Sequence, residues 1–117
     1  MQADRYNNNK PKWSLIDFKS LEPLVRVLEY GCIKYEKNNW KKGLPASETM
    51  ESMVRHCFKL MGGELTDSES GISHIGHIMA NAMFLAYNMR EKKEQFDNRF
   101  KGHGKPEESR EADRSVE

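Results

Sequence analysis

TDSESGISHIGHIMANAMFLAYNM, residues 66–89, carries the longest helical period of the chain and its densest run of reactive side chains. Thr66 followed three positions later by Glu69 has the spacing of a capping box, in which the two side chains satisfy backbone N–H groups at a helix start. From there Ile72, Ile75, Ile78, Met79, Ala82, Leu85, Ala86 and Met89 recur on one face, which predicts a long helix reaching residue 94 or so. Gly76 and Ala80, four apart on another side, would let a second helix approach closely, one from another subunit included. No strand-like alternation competes.

Upstream, Met50, Met53, Val54, Cys57, Leu60 and Met61 form one face of a helix over 48–61, with Ser47 as its cap and Gly62-Gly63 as its stop. Further back, Leu21, Leu24, Val25, Leu28, Cys32 and Tyr35 predict a first helix over 20–35. It is capped by Ser20 and tolerates Pro23 in its first turn. Gly43 and Pro45 break the loop between these two helices. The expected fold is therefore all-α, a small bundle of three main helices. Three helices of this length make a thin core, so self-association to a dimer or tetramer is expected to complete it. Residues 1–12 read as a polar N-terminal arm, 13–95 as the folded domain and 96–117 as a charged tail, because KGHGKPEESREADRSVE has one strong hydrophobe, Val116.

A chain of 117 residues supports one domain. Its net charge of +1 gives no global field toward a nucleic-acid polymer or an anionic membrane, so an anionic ligand must be captured locally. The sequence offers no spanning segment and no signal-peptide pattern, which points to the cytoplasm. Cys32 and Cys57 lack CxxC spacing and sit in apolar-periodic surroundings, as reduced core thiols do.

Projected on a helix, Asp67, Ser70, His74, His77 and Asn81 fall within an arc of about 80° beside the apolar face, where a lined cleft would form. Glu48-x-x-Glu51 and Glu64-x-x-Asp67 each put two carboxylates one turn apart, a spacing suited to Mg²⁺ or Mn²⁺. His74 and His77 would instead suit a softer ion such as Zn²⁺ or Fe²⁺. Glu51 and Arg55 have the order of a surface i, i+4 ion pair. Trp40, flanked by Asn38, Asn39, Lys41 and Lys42, can stack a base while amides read its edge and ammonium groups hold phosphates. Trp13 and Tyr35 read as core anchors.

Taken together, KPKW (10–13), YGCIKYEKNNWKKG (30–43), Arg55-His56 and GELTDSESGISHIGH (63–77), with Asn81 and Phe84 behind it, resemble the phage-encoded dATP/dGTP diphosphohydrolase-like proteins. Those are related in concept to the MazG-type all-α pyrophosphohydrolases. The resemblance implies hydrolysis of a purine deoxynucleoside triphosphate to monophosphate and pyrophosphate, dependent on Mg²⁺ or Mn²⁺, in the host cytoplasm. Glu48, Glu51, Glu64 and Asp67 would be metal ligands, with Glu69 an addition. His56, His74 and His77 would serve as base or orienter, and Arg55 would neutralise phosphate. Lys10, Lys12, Lys34, Tyr35, Asn39, Trp40, Lys41 and Asn81 would hold the nucleotide. Two other readings of the same helices are a non-catalytic protein that sequesters a nucleotide and a helical assembly protein whose polar stripe bonds subunits.

Overall fold

The computed structural model describes residues 1–91 and 93–99. These form an all-α arrangement of three main helices, α1 (Glu22–Lys34), α2 (Ala46–Met61) and α3 (His74–Glu91), followed by one short turn of helix, α4 (Lys93–Phe96). Among the described residues there is no strand, only an isolated bridge between Thr66 and Ser73. Of the tail expected over 96–117, residues 100–117 lie outside the described residues. No described helix is long and apolar enough to cross a membrane.

The central element is α3, with α1 and α2 packed on it. Where α1 crosses α3, Gly76 is buried, and a Cβ there would stand 2.5 Å from the Pro23 carbonyl oxygen. The notch read from Gly76 and Ala80 thus seats a helix of the same chain. This contact sets the roll of α1: Val27 is buried, whereas Val25, Cys32 and Tyr35 are exposed. Cys32 and Tyr35 are therefore not core residues, and Cys57 is half-buried. Trp13 is also exposed, on a one-turn 3-10 helix at Trp13–Leu15, and anchors nothing in the core.

The helix starts differ from those read in the sequence, each for a local reason. Ser20 turns its hydroxyl back to Asp17, so α1 begins after Leu21 without a side-chain cap. Pro45 precedes α2, and Ser47 lies inside it. Its cap comes from a distance: Asn98 Oδ1 accepts the Ser47 N–H at 2.9 Å and Asn98 Nδ2 donates to Ser47 Oγ at 3.0 Å. Residues 96–99, assigned to the tail from composition, are thereby seated on the helical body. At the other end of α2, the N–H of Glu64 reaches the Lys59 carbonyl and that of Gly63 the Leu60 carbonyl, a Schellman closure.

The largest difference lies over 66–73, where the capping box does not form. The Asp67 carboxylate accepts the Ser70 N–H at 2.8 Å, and Gly71, at φ +75°, lets the Gly71 N–H return to the Asp67 carbonyl. A short-range turn around an aspartate outcompetes a helix start that would need Gly71 inside it. α3 begins only at His74, seven residues after the expected start, with the Ser73 hydroxyl accepting the Ile75 N–H at 3.1 Å.

Candidate active site

A cavity of about 910 Å³ opens between α1, the loop that follows it, α2 and α3. That is a size suited to a nucleotide-scale ligand. Its floor is made of imidazoles and one carboxylate. His56 of α2 stacks on His77 of α3 with ring centroids 4.4 Å apart and planes 3° from parallel. His56 Nδ1 lies 2.8 Å from His74 Nδ1, and His74 Nε2 lies 2.8 Å from Glu64 Oε2. His77 Nε2 meets the Ser70 hydroxyl at 2.7 Å and stands 3.8 Å from Asp67 Oδ2. His74, at the start of α3, is 0 % exposed.

The walls are aromatic and polar. Trp40, on a short 3-10 helix at Asn39–Lys42, stacks on Phe84 at 5.1 Å and meets Tyr87 edge-on at 5.1 Å. Asn81 donates to Ser52 Oγ and to the His77 carbonyl, tying α3 to α2 beside the floor. Lys34, Arg55 and Lys59 bring cations to the lining, and Lys34 pairs with Glu69 at 3.1 Å.

Many residues singled out in the sequence therefore meet. His56, His77, Asp67, Glu69, Lys34, Tyr35, Asn39, Trp40, Arg55 and Asn81 line one cavity, with His74 and Glu64 directly behind its floor. Others do not join them. Glu48 and Glu51 are exposed on α2 outside the cavity lining, Glu48 in the first turn where a carboxylate suits the helix dipole. Arg55 makes no ion pair with Glu51 among the described residues and belongs to the lining instead. Lys10 and Lys12 sit on the exposed arm away from the lining, and Lys41 lies over the Trp40 ring at 5.3 Å without lining the cavity. Lys59 was not anticipated. Its spacing of four from Arg55 and three from His56 places it on the same side of α2, a signal available in the sequence.

An all-carboxylate Mg²⁺ site does not fit this arrangement. Of the five carboxylates expected to hold the ion, Glu48 and Glu51 are outside the cavity lining, Glu69 is engaged by Lys34, and Glu64 is turned toward the outer nitrogen of His74. Only Asp67 presents its carboxylate to the floor.

The electrostatics keep that floor ready to donate lone pairs. Burial, with the neighbouring His77 and His74, holds the His56 imidazole below its ordinary pKa, and burial does the same for His77 against the pull of Asp67. Burial pushes the Asp67 carboxyl up, but hydrogen bonds from the Ser70 N–H and hydroxyl, with His77 and His56, bring it below its ordinary value. At neutral pH both imidazoles are unprotonated beside an ionised carboxylate. Because the folded imidazole pKa values lie below the unfolded 6.5, the unfolded chain binds more protons under that value. The stability these histidines contribute is complete above pH 6.5 and is lost as pH falls through it. The unfolding temperature in excess chelator, followed by circular dichroism, is accordingly expected to drop between pH 7.5 and pH 5, and to be flat from 7.5 to 8.5.

Comparison with known proteins adds a sequence relationship. Residues 1–99 match the family described as dATP/dGTP diphosphohydrolase, N-terminal. A protein of Salmonella phage PMBT28 named dATP/dGTP diphosphohydrolase is 29% identical over 100 residues, covering 86% of this chain and 34% of that relative. The chain thus spans about a third of the length of the curated relative it matches. No solved structure matches it.

Proposed function

The chain belongs to the dATP/dGTP diphosphohydrolase N-terminal family, and from that premise we propose that its cavity binds a purine deoxynucleoside triphosphate and hydrolyses it to monophosphate and pyrophosphate, adjusting a nucleotide pool. The observation that carries this reading is the meeting, in one cavity, of an aromatic wall at Trp40 and Phe84 with a floor of His56, His77 and Asp67. The aromatic wall suits a base, which stacks with little regard to its edge, while Asn39 and Asn81 bring amides to the same lining. Arg55, Lys59 and Lys34 suit the triphosphate, Lys34 exchanging Glu69 for a phosphate oxygen.

Water attacks the α-phosphorus, its proton passes to a base, and pyrophosphate leaves with the electrons of the α–β bridge. His77 is the base in this proposal, since it lines the cavity and is neutral at working pH. His74, fully buried, cannot touch that water and orients its neighbours instead. Mg²⁺ or Mn²⁺ enters as the counterion of the triphosphate. Self-association as a dimer or tetramer is part of the same reading, supported by Val54, Phe58 and Met61, which α2 leaves exposed. Sedimentation equilibrium returning only a monomer would remove that part.

The test of the activity incubates the purified chain with each nucleoside and deoxynucleoside triphosphate, with Mg²⁺ or Mn²⁺, and resolves the products by ³¹P NMR. Monophosphate and pyrophosphate in equal amounts, formed fastest from dATP or dGTP, are expected. Binding without turnover across the whole set would replace the hydrolase by a nucleotide-sequestering protein.

A further inference from the structure

The histidine pair legible in the sequence is His74 and His77, but the fold brings the ring nitrogens of a different pair together. His56 and His74 point their Nδ1 atoms at one another across 2.8 Å. One ligand atom each from His56, His74 and Asp67 falls within 4.8 Å of the other two. On an ion that holds nitrogen at about 2.0–2.1 Å, two ligand nitrogens sit roughly 3 Å apart, so this spacing is already that of a coordination sphere.

We infer that His56, His74 and Asp67 are the ligands of a resident transition-metal ion, Fe²⁺, Co²⁺ or Zn²⁺, distinct from any Mg²⁺ or Mn²⁺ that arrives with a nucleotide.

The tautomer of His74 supports this. The Glu64 carboxylate only accepts, so in the neutral ring the proton is on Nε2 and the Nδ1 lone pair points inward at His56. A carboxylate behind the outer N–H of an imidazole is the usual support of a metal-binding histidine, fixing its ring and raising its basicity. His56 is placed by the parallel stack on His77, whose own Nε2 is engaged by Ser70. Without an ion, two lone pairs share one proton at the Nδ1–Nδ1 contact. With an ion, both are used.

The chemistry of the donors sets the kind of ion. Two imidazole nitrogens and one carboxylate suit later divalent metals, whereas Mg²⁺ requires oxygen nearly throughout. His56 and Asp67 line the cavity while His74 closes the back, so the open coordination positions face the cavity, as in a reactive site rather than a structural one.

The test uses the whole chain, stripped by chelator and free of nucleotide. Calorimetric titration is expected to give one Zn²⁺ per chain, bound at least about 100-fold more tightly than Mg²⁺, and Co²⁺ to develop visible absorption bands. His56→Gln should abolish both signals. Asp67→Asn, which keeps the side-chain shape, should weaken them and covers the case in which His56→Gln does not fold. Glu64→Ala should weaken binding about 10–100-fold without touching the ion. The double change Glu48→Gln with Glu51→Gln should leave Zn²⁺ affinity unchanged. Mg²⁺ binding as tight as Zn²⁺, or Zn²⁺ binding that survives both His56→Gln and Asp67→Asn, or the absence of any binding, would overturn the inference. A chain that binds Zn²⁺ through these residues but hydrolyses no nucleotide keeps the metal site and loses the hydrolase reading.

Discussion

Asp67→Asn is expected to lower turnover of the preferred deoxynucleoside triphosphate at least about 100-fold, the scale on which one charged group in a water-poor site acts. Its fold should be nearly untouched. Asp67 has two separable tasks. One oxygen closes the turn by accepting the Ser70 N–H, and an asparagine oxygen performs this as well. The second is to bring the sole carboxylate to a floor of neutral imidazoles, and an amide has no charge to bring. Single-turnover rates beside a thermal melt separate the two tasks. Activity near that of the parent, with an unchanged melt, would reduce Asp67 to a turn former.

Gly76→Ala should cost about 1–3 kcal/mol of stability, the usual scale of overpacking, although alanine is the better helix former by about 1 kcal/mol. The added Cβ would stand 2.5 Å from the Pro23 carbonyl oxygen and 2.7 Å from its carbon, both backbone atoms that move only if α1 lifts from α3. Gly31, in the last turn of α1, is the internal control: a Cβ there meets nothing within 4 Å. Gly31→Ala is expected to stabilise by about 0.5–1 kcal/mol. Opposite shifts in unfolding temperature, roughly 4–8 °C per kcal/mol for a domain of this size, are what the two melts should show. Shifts of the same sign would mean that the α1–α3 contact is softer than the backbone distances imply.

These two residues also show what a sequence can and cannot disclose. The three helices were legible because a 3.6-residue period is local and repeats through each segment. The small side of α3 was legible as well, since Gly76 and Ala80 are four apart. Which helix fills that notch is a non-local fact, and so is the roll of α1 that it dictates. The exposure of Cys32 and Tyr35 followed from that roll and had no local signature. At Thr66 and Glu69 a genuine local pattern was present, but a stronger one, Asp67 with Gly71, overlapped it. The stripe computed on an unbroken helix therefore described a geometry that does not exist. Asp67 still reaches His56 and His74, because the turn folds back on the start of α3. The residue types of the site were thus readable, while the pairing of His56 with His74 required the approach of α2 to α3.

The return of the chain after α3 has a further meaning for α2. Its last turn is locked by the closure onto Lys59 and Leu60, and its first turn is held by both polar atoms of Asn98. A helix clamped at both ends cannot fray inward from either, so the ring of His56, midway along it, is spared the slow loosening that helix ends transmit. Half of that protection is on loan from a residue more than fifty positions later in the chain, so the precision of the cavity floor depends on a segment that never touches it.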